Sequence, residues 1–156
     1  MIVACDGASR GNPGPAGIGA VVVTTKGEVL AEIARGIGVT TNNVAEYTAV
    51  IEGLVRAAEL GATDVLLRSD SHLIVEQLSG RYKVKNAKLK PLHARVRELA
   101  GGFWRIRYEH VPREHNRHAD RLANRGVDEW LAAGEKASPP ERQPPPWGPQ
   151  PGRGSG

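Results

Sequence analysis

Apolar positions in the first third of the chain fall in short runs of β-branched and small residues, not at helical spacing. The opening segment over 2–19, IVACDGASRGNPGPAGIG, leads through apolar residues to one carboxylate, Asp6, and then into Gly and Pro. That pattern predicts a strand opening into a turn at Asp6, with the carboxylate projecting from a sheet instead of into a core. Residues 18–24 (IGAVVVT) make a second run, 25–28 (TKGE) a turn, and 29–37 a returning arm. Strand, turn and strand at this spacing predict antiparallel pairing.

After Gly38 the period changes. Val44, Tyr47, Ile51, Leu54, Val55 and Ala58 recur at helical spacing until Gly61. Residues 64–69 (DVLLRS) read as a short strand covered on both faces, followed at once by Asp70. Residues 71–78 predict a short helix burying Leu73, Ile74 and Leu78. Leu89, Leu92, Val96 and Leu99 mark another, ended by Gly101 and Gly102. Over 103–111, Trp104, Ile106 and Tyr108 alternate with Arg105, Arg107 and Glu109, a strand with one wet face. A last helix starts near Arg117 and carries Ala119, Leu122, Ala123, Val127, Trp130 and Leu131. The order β-β-β-α-β-α-α-β-α predicts a mixed α/β fold: a five-stranded sheet, three antiparallel strands and then two parallel, flanked by helices.

A chain of 156 residues suffices for one domain with a real core. No apolar run approaches a membrane span, and no basic start with an apolar stretch marks a signal peptide, so a cytoplasmic protein without a membrane partner is expected. The single cysteine, Cys5, is expected to pack instead of react. The net charge of +4 is unevenly spread. Over 81–97, RYKVKNAKLKPLHARVR holds Arg81, Lys83, Lys85, Lys88, Lys90, Arg95 and Arg97 without an acid. Such a block suits a polyanion, and suits equally a solvated helix face. Residues 134–156 contain seven prolines and five glycines and, apart from Trp147, almost nothing apolar. They are expected to be a disordered tail or linker after a domain over 1–133.

Four acids stand where chemistry is conceivable: Asp6, Glu46, Asp70 and Asp120. Each also has a structural explanation. Asp6 can be a turn acid, Glu46 part of a capping box with Asn43, Asp70 a helix cap, and Asp120 a favourable charge in a helix's first turns. Taken together they gain weight, because helices that follow the C-terminal ends of parallel strands point to one edge of the sheet. Carboxylates gathered there would repel one another without cations. An all-oxygen donor set suits Mg²⁺ or Mn²⁺. Two such ions about 4 Å apart can activate water and stabilise the leaving oxygen of a phosphodiester.

Four segments, DGASRGNPGPAGIGAVV, TTNNVAEYTAVIEGL, SDSHLIVEQLSG and HVPREHNRHADRLAN, resemble in order the successive motifs of type 1 ribonuclease H, over roughly 1–130. The resemblance implies a ribonuclease H-like fold and hydrolysis of the RNA strand of RNA-DNA hybrids with two Mg²⁺ or Mn²⁺ ions, giving 5′-phosphate and 3′-hydroxyl ends. It implies Asp6, Glu46, Asp70 and Asp120 as catalytic metal ligands. Asn12, Asn42 and Asn43 resemble substrate-contacting positions, and Thr41 part of a DNA-phosphate pocket. Turn and cap chemistry is the other explanation for these four. The glycines over 7–17 are expected to let the backbone approach a duplex. The alternative from another class is a non-catalytic hybrid-binding module, with the acids as caps.

The chain departs from the family pattern in three places. His72 stands where many members have Gln. The region after Gly80 lacks a long basic protrusion, for which Tyr82, Lys83 and Lys85 of the basic block can substitute. The loop VPREHN is compressed, so that either Glu114 or His115 falls near the family's mobile histidine. A zinc site of His110, His115 and His118 lacks companion Cys ligands and HExxH spacing. Some bacterial relatives with similar wording continue through a Pro-rich linker into a histidine-phosphatase-like domain, which makes such a domain an expected covalent partner. A monomer is the expected state.

Overall fold

Side-chain alternation in strand β1 (Ile2–Ser9) divides the protein into two packed layers. Val3 and Cys5 face a helix, α1 (Asn42–Glu59), where a Cβ on Gly53 would meet Val3 Cγ1 at 2.7 Å and Cys5 Sγ at 3.2 Å. Asp6 points to the opposite face. Its antiparallel partner is Gly19 of β2 (Gly14–Val23), and a Cβ on Gly19 would lie 2.1 Å from the Ala119 carbonyl of α4 (Arg117–Lys136). Glycine at that point lets α4 lie directly on the sheet. The computed structural model describes residues 1–136.

Strands β3 (Val29–Thr40), β4 (Asp64–Ser69) and β5 (Arg105–His110) complete a sheet of order β3-β2-β1-β4-β5. The β1–β2 and β2–β3 pairs are antiparallel, and β1–β4 and β4–β5 are parallel, as the order of elements predicts. Helices α2 (His72–Leu78) and α3 (Lys90–Ala100) precede β5, and a 3₁₀ turn (Arg113–His115) precedes α4. The main core lies beneath α1, where Ile18, Ala20, Val22, Tyr47, Ile51 and Leu54 are fully buried. On the other face Ala119, Ala123 and Val127 of α4 cover Gly17 and Gly19.

Several boundaries differ from the sequence expectation. β1 does not end at Asp6: the hairpin with β2 continues to the Ser9–Ala16 pair, whereas pairing with β4 stops at Cys5–Ser69. Asp6 therefore lies just past the point where β1 loses its parallel neighbour, not in a turn. Trp104 precedes β5 and is 80% exposed, its ring lying 5.7 Å from the Arg105 guanidinium carbon. Leu73 is 37% exposed, because α2 turns Ile74 and Val75 inward instead. α4 runs through Lys136, so Gly134 to Lys136 continue a helix where a linker was expected. The rest of that stretch, Trp147 included, lies outside the described residues.

Candidate active site

Residues distant in sequence reach one point because three elements end or pass there. Asp70 follows the last residue of β4, Asp6 stands beside it on β1, and Glu46 comes from the second turn of α1. Carboxylate oxygens of Asp6, Glu46 and Asp70 lie within 4.8 Å of one another. Asp120 approaches Asp6 from α4, near enough to help raise that carboxyl's proton affinity.

Gly7 is what lets Glu46 arrive. A Cβ there would lie 2.3 Å from the Ala45 carbonyl carbon and from the Glu46 nitrogen, so α1 crosses β1 at backbone contact. The Gly7 backbone N–H is then free of a β4 partner and donates to the Glu46 carboxylate. Of the glycines over 7–17, Gly7 and Gly17 admit α1 and α4, Gly14 lies against the Arg10 carbonyl, and Gly11 stands exposed in the turn at a φ of +104°.

The structural explanations for the acids fail at two positions because other residues do that work. Thr41 is the N-cap of α1, its hydroxyl accepting from the Val44 N–H at 3.3 Å, so Glu46 and Asn43 form no capping box. Ser71 is the N-cap of α2, accepting from the Ile74 N–H at 3.3 Å, so Asp70 caps nothing. Asp120 does lie in the first turn of α4, where its charge suits the dipole, and it also meets Asp6.

Burial and neighbouring acids raise the proton affinity of Asp6 and Glu46. Burial is the main reason that the Asp6 carboxyl is pushed far above the carboxylate range, reinforced by the charge of Glu46, the hydrogen bond to Asp120, and the charges of Asp70 and Asp120. Glu46 is raised too, by burial and then by the charge of Asp70. The Asp6 hydrogen bond, the Gly7 N–H and the Arg113 charge partly offset this. A cluster that holds protons at neutral pH, offers only oxygen donors and has them within 4.8 Å fits hard divalent cations, which would replace those protons. The thiol of Cys5 is also pushed up by burial, consistent with a packing role.

Sequence reasoning missed three residues around this cluster. Arg113 in the 3₁₀ turn places Nε 3.8 Å from Asp70 Oδ2. Asn116 is buried and donates Nδ2–H to the Cys5 carbonyl at 2.8 Å, fixing the start of α4 against β1. Asn124 donates to Asp120 from one helical turn below. The motif HVPREHNRHADRLAN contains all three, yet nothing in its pattern distinguishes them from ordinary loop and helix polar residues.

The other expected site residues divide into two groups. Asn12 Oδ1 accepts the Asn42 N–H at 3.1 Å, linking the β1–β2 turn to the start of α1. Asn12, Thr41 and Asn43 line a surface depression together with Asn86 and Lys88. On the other side of the cluster, His72 stacks edge-on with Tyr82 and His110, and its Nε2 is 3.5 Å from Glu76 Oε1. Tyr82 is 47% exposed. Lys83, Lys85, Lys88 and Lys90 are exposed and have no acidic partner among the described residues, whereas Arg81 pairs with Glu76 and Arg95 with Glu98. Glu114 lines a cavity with Asp120; His115 is exposed and donates its backbone N–H to the Pro112 carbonyl. The histidines considered for zinc have separate partners: His118 meets Glu32, and His110 meets the Asp70 carbonyl.

Comparison with known proteins adds a consistent set of likenesses. Residues 4–126 match the family model described as "Reverse transcriptase-like". The "Bifunctional protein Rv2228c" of Mycobacterium tuberculosis is 54% identical over 129 residues, covering 82% of this chain and 35% of that protein, so the chain spans about a third of its length. The solved N-terminal RNase H domain of that protein, a fusion with maltose binding protein, is 53% identical, with a TM-score of 0.79 over 82% of this chain and 100% of that chain. "Ribonuclease H" of Coxiella burnetii is 36% identical over 146 residues, 85% of this chain and 92% of that protein. LC11-RNase H1, solved in complex with an RNA/DNA hybrid, is 43% identical, with a TM-score of 0.80 over 83% of this chain and 98% of that chain. Among the described residues, no helix is long and apolar enough to cross a membrane.

Proposed function

The chain belongs to the ribonuclease H family, and on that premise we propose that it is a divalent-metal-dependent endonuclease hydrolysing the RNA strand of RNA-DNA hybrids, leaving 5′-phosphate and 3′-hydroxyl ends. The observation that carries the proposal is the convergence of Asp6, Glu46, Asp70 and Asp120, with the helix-capping duties of two of them taken by Thr41 and Ser71. That division of labour weighs against a non-catalytic module whose acids serve as caps. The named hybrid complex of LC11-RNase H1 supports the choice of substrate.

In this reading Asp6 would be the ligand common to both ions, because both Glu46 and Asp120 bear on the proton affinity of its carboxyl. Glu46 and Asp70 would complete one shell and Asp120 the other, with Mg²⁺ and Mn²⁺ both compatible with the oxygen donors. Bound there, the ions would supply an activated water and charge stabilisation at the leaving oxygen. Gly7 holds Glu46 in place through its N–H, and Arg113 places a positive charge beside Asp70. Of the two residues competing for the mobile histidine's position, Glu114 is favoured, since it shares a cavity with Asp120.

Asn12, Asn42 and Asn43 present amides suited to the 2′-hydroxyls of a shallow minor groove, and Thr41 with its neighbours a polar depression for a DNA phosphate. His72, Tyr82, Lys83 and Lys85 extend the contact on the far side. The protein acts as a monomer in the cytoplasm, and the bifunctional relative supports a further domain joined through the Pro-rich stretch. A labelled hybrid incubated with Mg²⁺ and with EDTA tests the central claim. Metal-dependent cleavage of the RNA strand by the native chain, lost in Asp6→Asn, is expected; retention of the hybrid without products would sink the nuclease reading.

A further inference from the structure

The acids of α4 as far as Glu129 are engaged with other partners. Asp120 meets Asp6 and Asn124, Asp128 pairs with Arg10 at 2.7 Å, and Glu129 faces Arg125 at 3.4 Å. That leaves Arg117 and Arg121, four residues apart and both exposed, without an acidic partner among the described residues. Arg113, 86% exposed, stands just before them. The placement is locally unfavourable twice over. Like charges at this spacing repel, and cations near a helix N-terminus oppose its dipole. The three arginines nevertheless line one cavity of about 480 Å³ with Glu114 and Asp120.

We propose that Arg113, Arg117 and Arg121 form an anion subsite that takes the RNA-strand phosphates flanking the bond to be cut. The inference rests on the functional reading above and adds to it a subsite and a strand. Guanidinium groups suit phosphate because several donors reach adjacent oxygens in a fixed fork. Asp120 is common to the cavity and to the carboxylate cluster, so the cavity opens directly beside the reacting phosphodiester. The neighbouring phosphates of the same strand are therefore the anions that come nearest. The polar depression around Asn12, Thr41 and Asn86 has no residue in common with this cavity, which leaves the DNA strand a different place to bind. An anion held by Arg117 and Arg121 would remove the repulsion that these residues otherwise impose on α4.

Binding is measured in the Asp6→Asn full chain, which separates affinity from turnover, and the rate is measured in the native background. Arg117→Gln combined with Arg121→Gln is expected to weaken hybrid binding about tenfold at physiological salt and to flatten the salt dependence of log Kd by about one to two. The melting temperature should rise slightly, because the repulsion between the two arginines is removed with them, and Arg125→Gln should bind as the parent does. Replacing the flanking RNA phosphates by neutral methylphosphonates should abolish the difference between parent and double variant. The same replacement in the DNA strand should preserve it. An unchanged salt slope, or a difference erased only by neutralising the DNA strand, would overturn the subsite. Failure of the native chain to cut any hybrid would overturn the functional reading instead. If the double variant is unstable, Arg117→Lys with Arg121→Lys keeps the charge and should retain the parental salt slope; loss of that slope in a folded Lys variant would also count against the proposal.

Discussion

Asn124 Nδ2 donates to the Asp120 carbonyl at 3.0 Å and lies 3.4 Å from Asp120 Oδ1, while Arg10 Nη2 approaches Asn124 Oδ1 at 3.4 Å. Arg10 has only donors to offer, so the amide oxygen faces it and the amide N–H₂ faces the carboxylate. The β1–β2 turn is thereby connected to the fourth acid through one side chain. Asn124→Ala should raise the Mn²⁺ concentration for half-maximal cleavage by about tenfold, as removal of a ligand's supporting hydrogen bond commonly does. Titration of activity with Mn²⁺ checks this, with the KM for hybrid expected to stay near its native value.

The raised proton affinities of Asp6 and Glu46 set the sign of a stability effect. Between the ordinary carboxylate range and the raised values, the folded chain holds more protons than the unfolded one. Metal-free stability therefore falls as pH rises through that window. A melting temperature declining from about pH 5 to about pH 8 in EDTA is expected, and a shallower decline with Mg²⁺ present. Calorimetry across pH, with and without the ion, measures it.

Replacing the Asp6 carboxyl by an amide should leave the metal-free protein folded while destroying its chemistry. Asp6 holds a proton at neutral pH, so Asp6→Asn removes no charge there and its metal-free melting temperature should match the native value at about pH 7. At pH above about 10, where the native Asp6 ionises against Glu46, Asp70 and Asp120, the variant should melt higher. Cleavage should be lost and hybrid binding largely kept. A melting curve and a binding isotherm on the same preparation decide both halves.

Gly19→Ala tests whether small residues hold Asp120 in place. The added methyl would lie 2.1 Å from the Ala119 carbonyl and 2.5 Å from the Ala123 nitrogen, backbone atoms that cannot turn aside. A loss of about 1–3 kcal/mol in urea unfolding is expected, with reduced cleavage by the folded fraction. Gly27→Ala probes a different constraint: φ is +88° there and no atom lies within 4 Å, so destabilisation should come without loss of activity in the folded protein.

Much of this protein could be read from its residues. Helical spacing over α1 and alternation in β5 each report how one element is buried, and burial periodicity survives in sequence because it is local. The apolar run in β4 overstates its burial, since Val65 and Leu67 are fully buried and Leu66 on the other face only partly. The four acids were legible too, through four ordered motifs. Trp104 and Leu73 were misplaced because the pattern does not say where a strand begins or how a short helix is rotated.

Sequence alone determined the element order, and with it the mixed sheet and the edge at which the acids meet. Tertiary structure decided which acids are free to meet there. Thr41 and Ser71 take the caps, Gly7 and Gly19 let two helices touch the sheet from opposite faces, and Asn116 fastens α4 to the Cys5 carbonyl. These are contacts between residues far apart in the chain, fixed by backbone approach and hydrogen-bond geometry, and no local spacing records them.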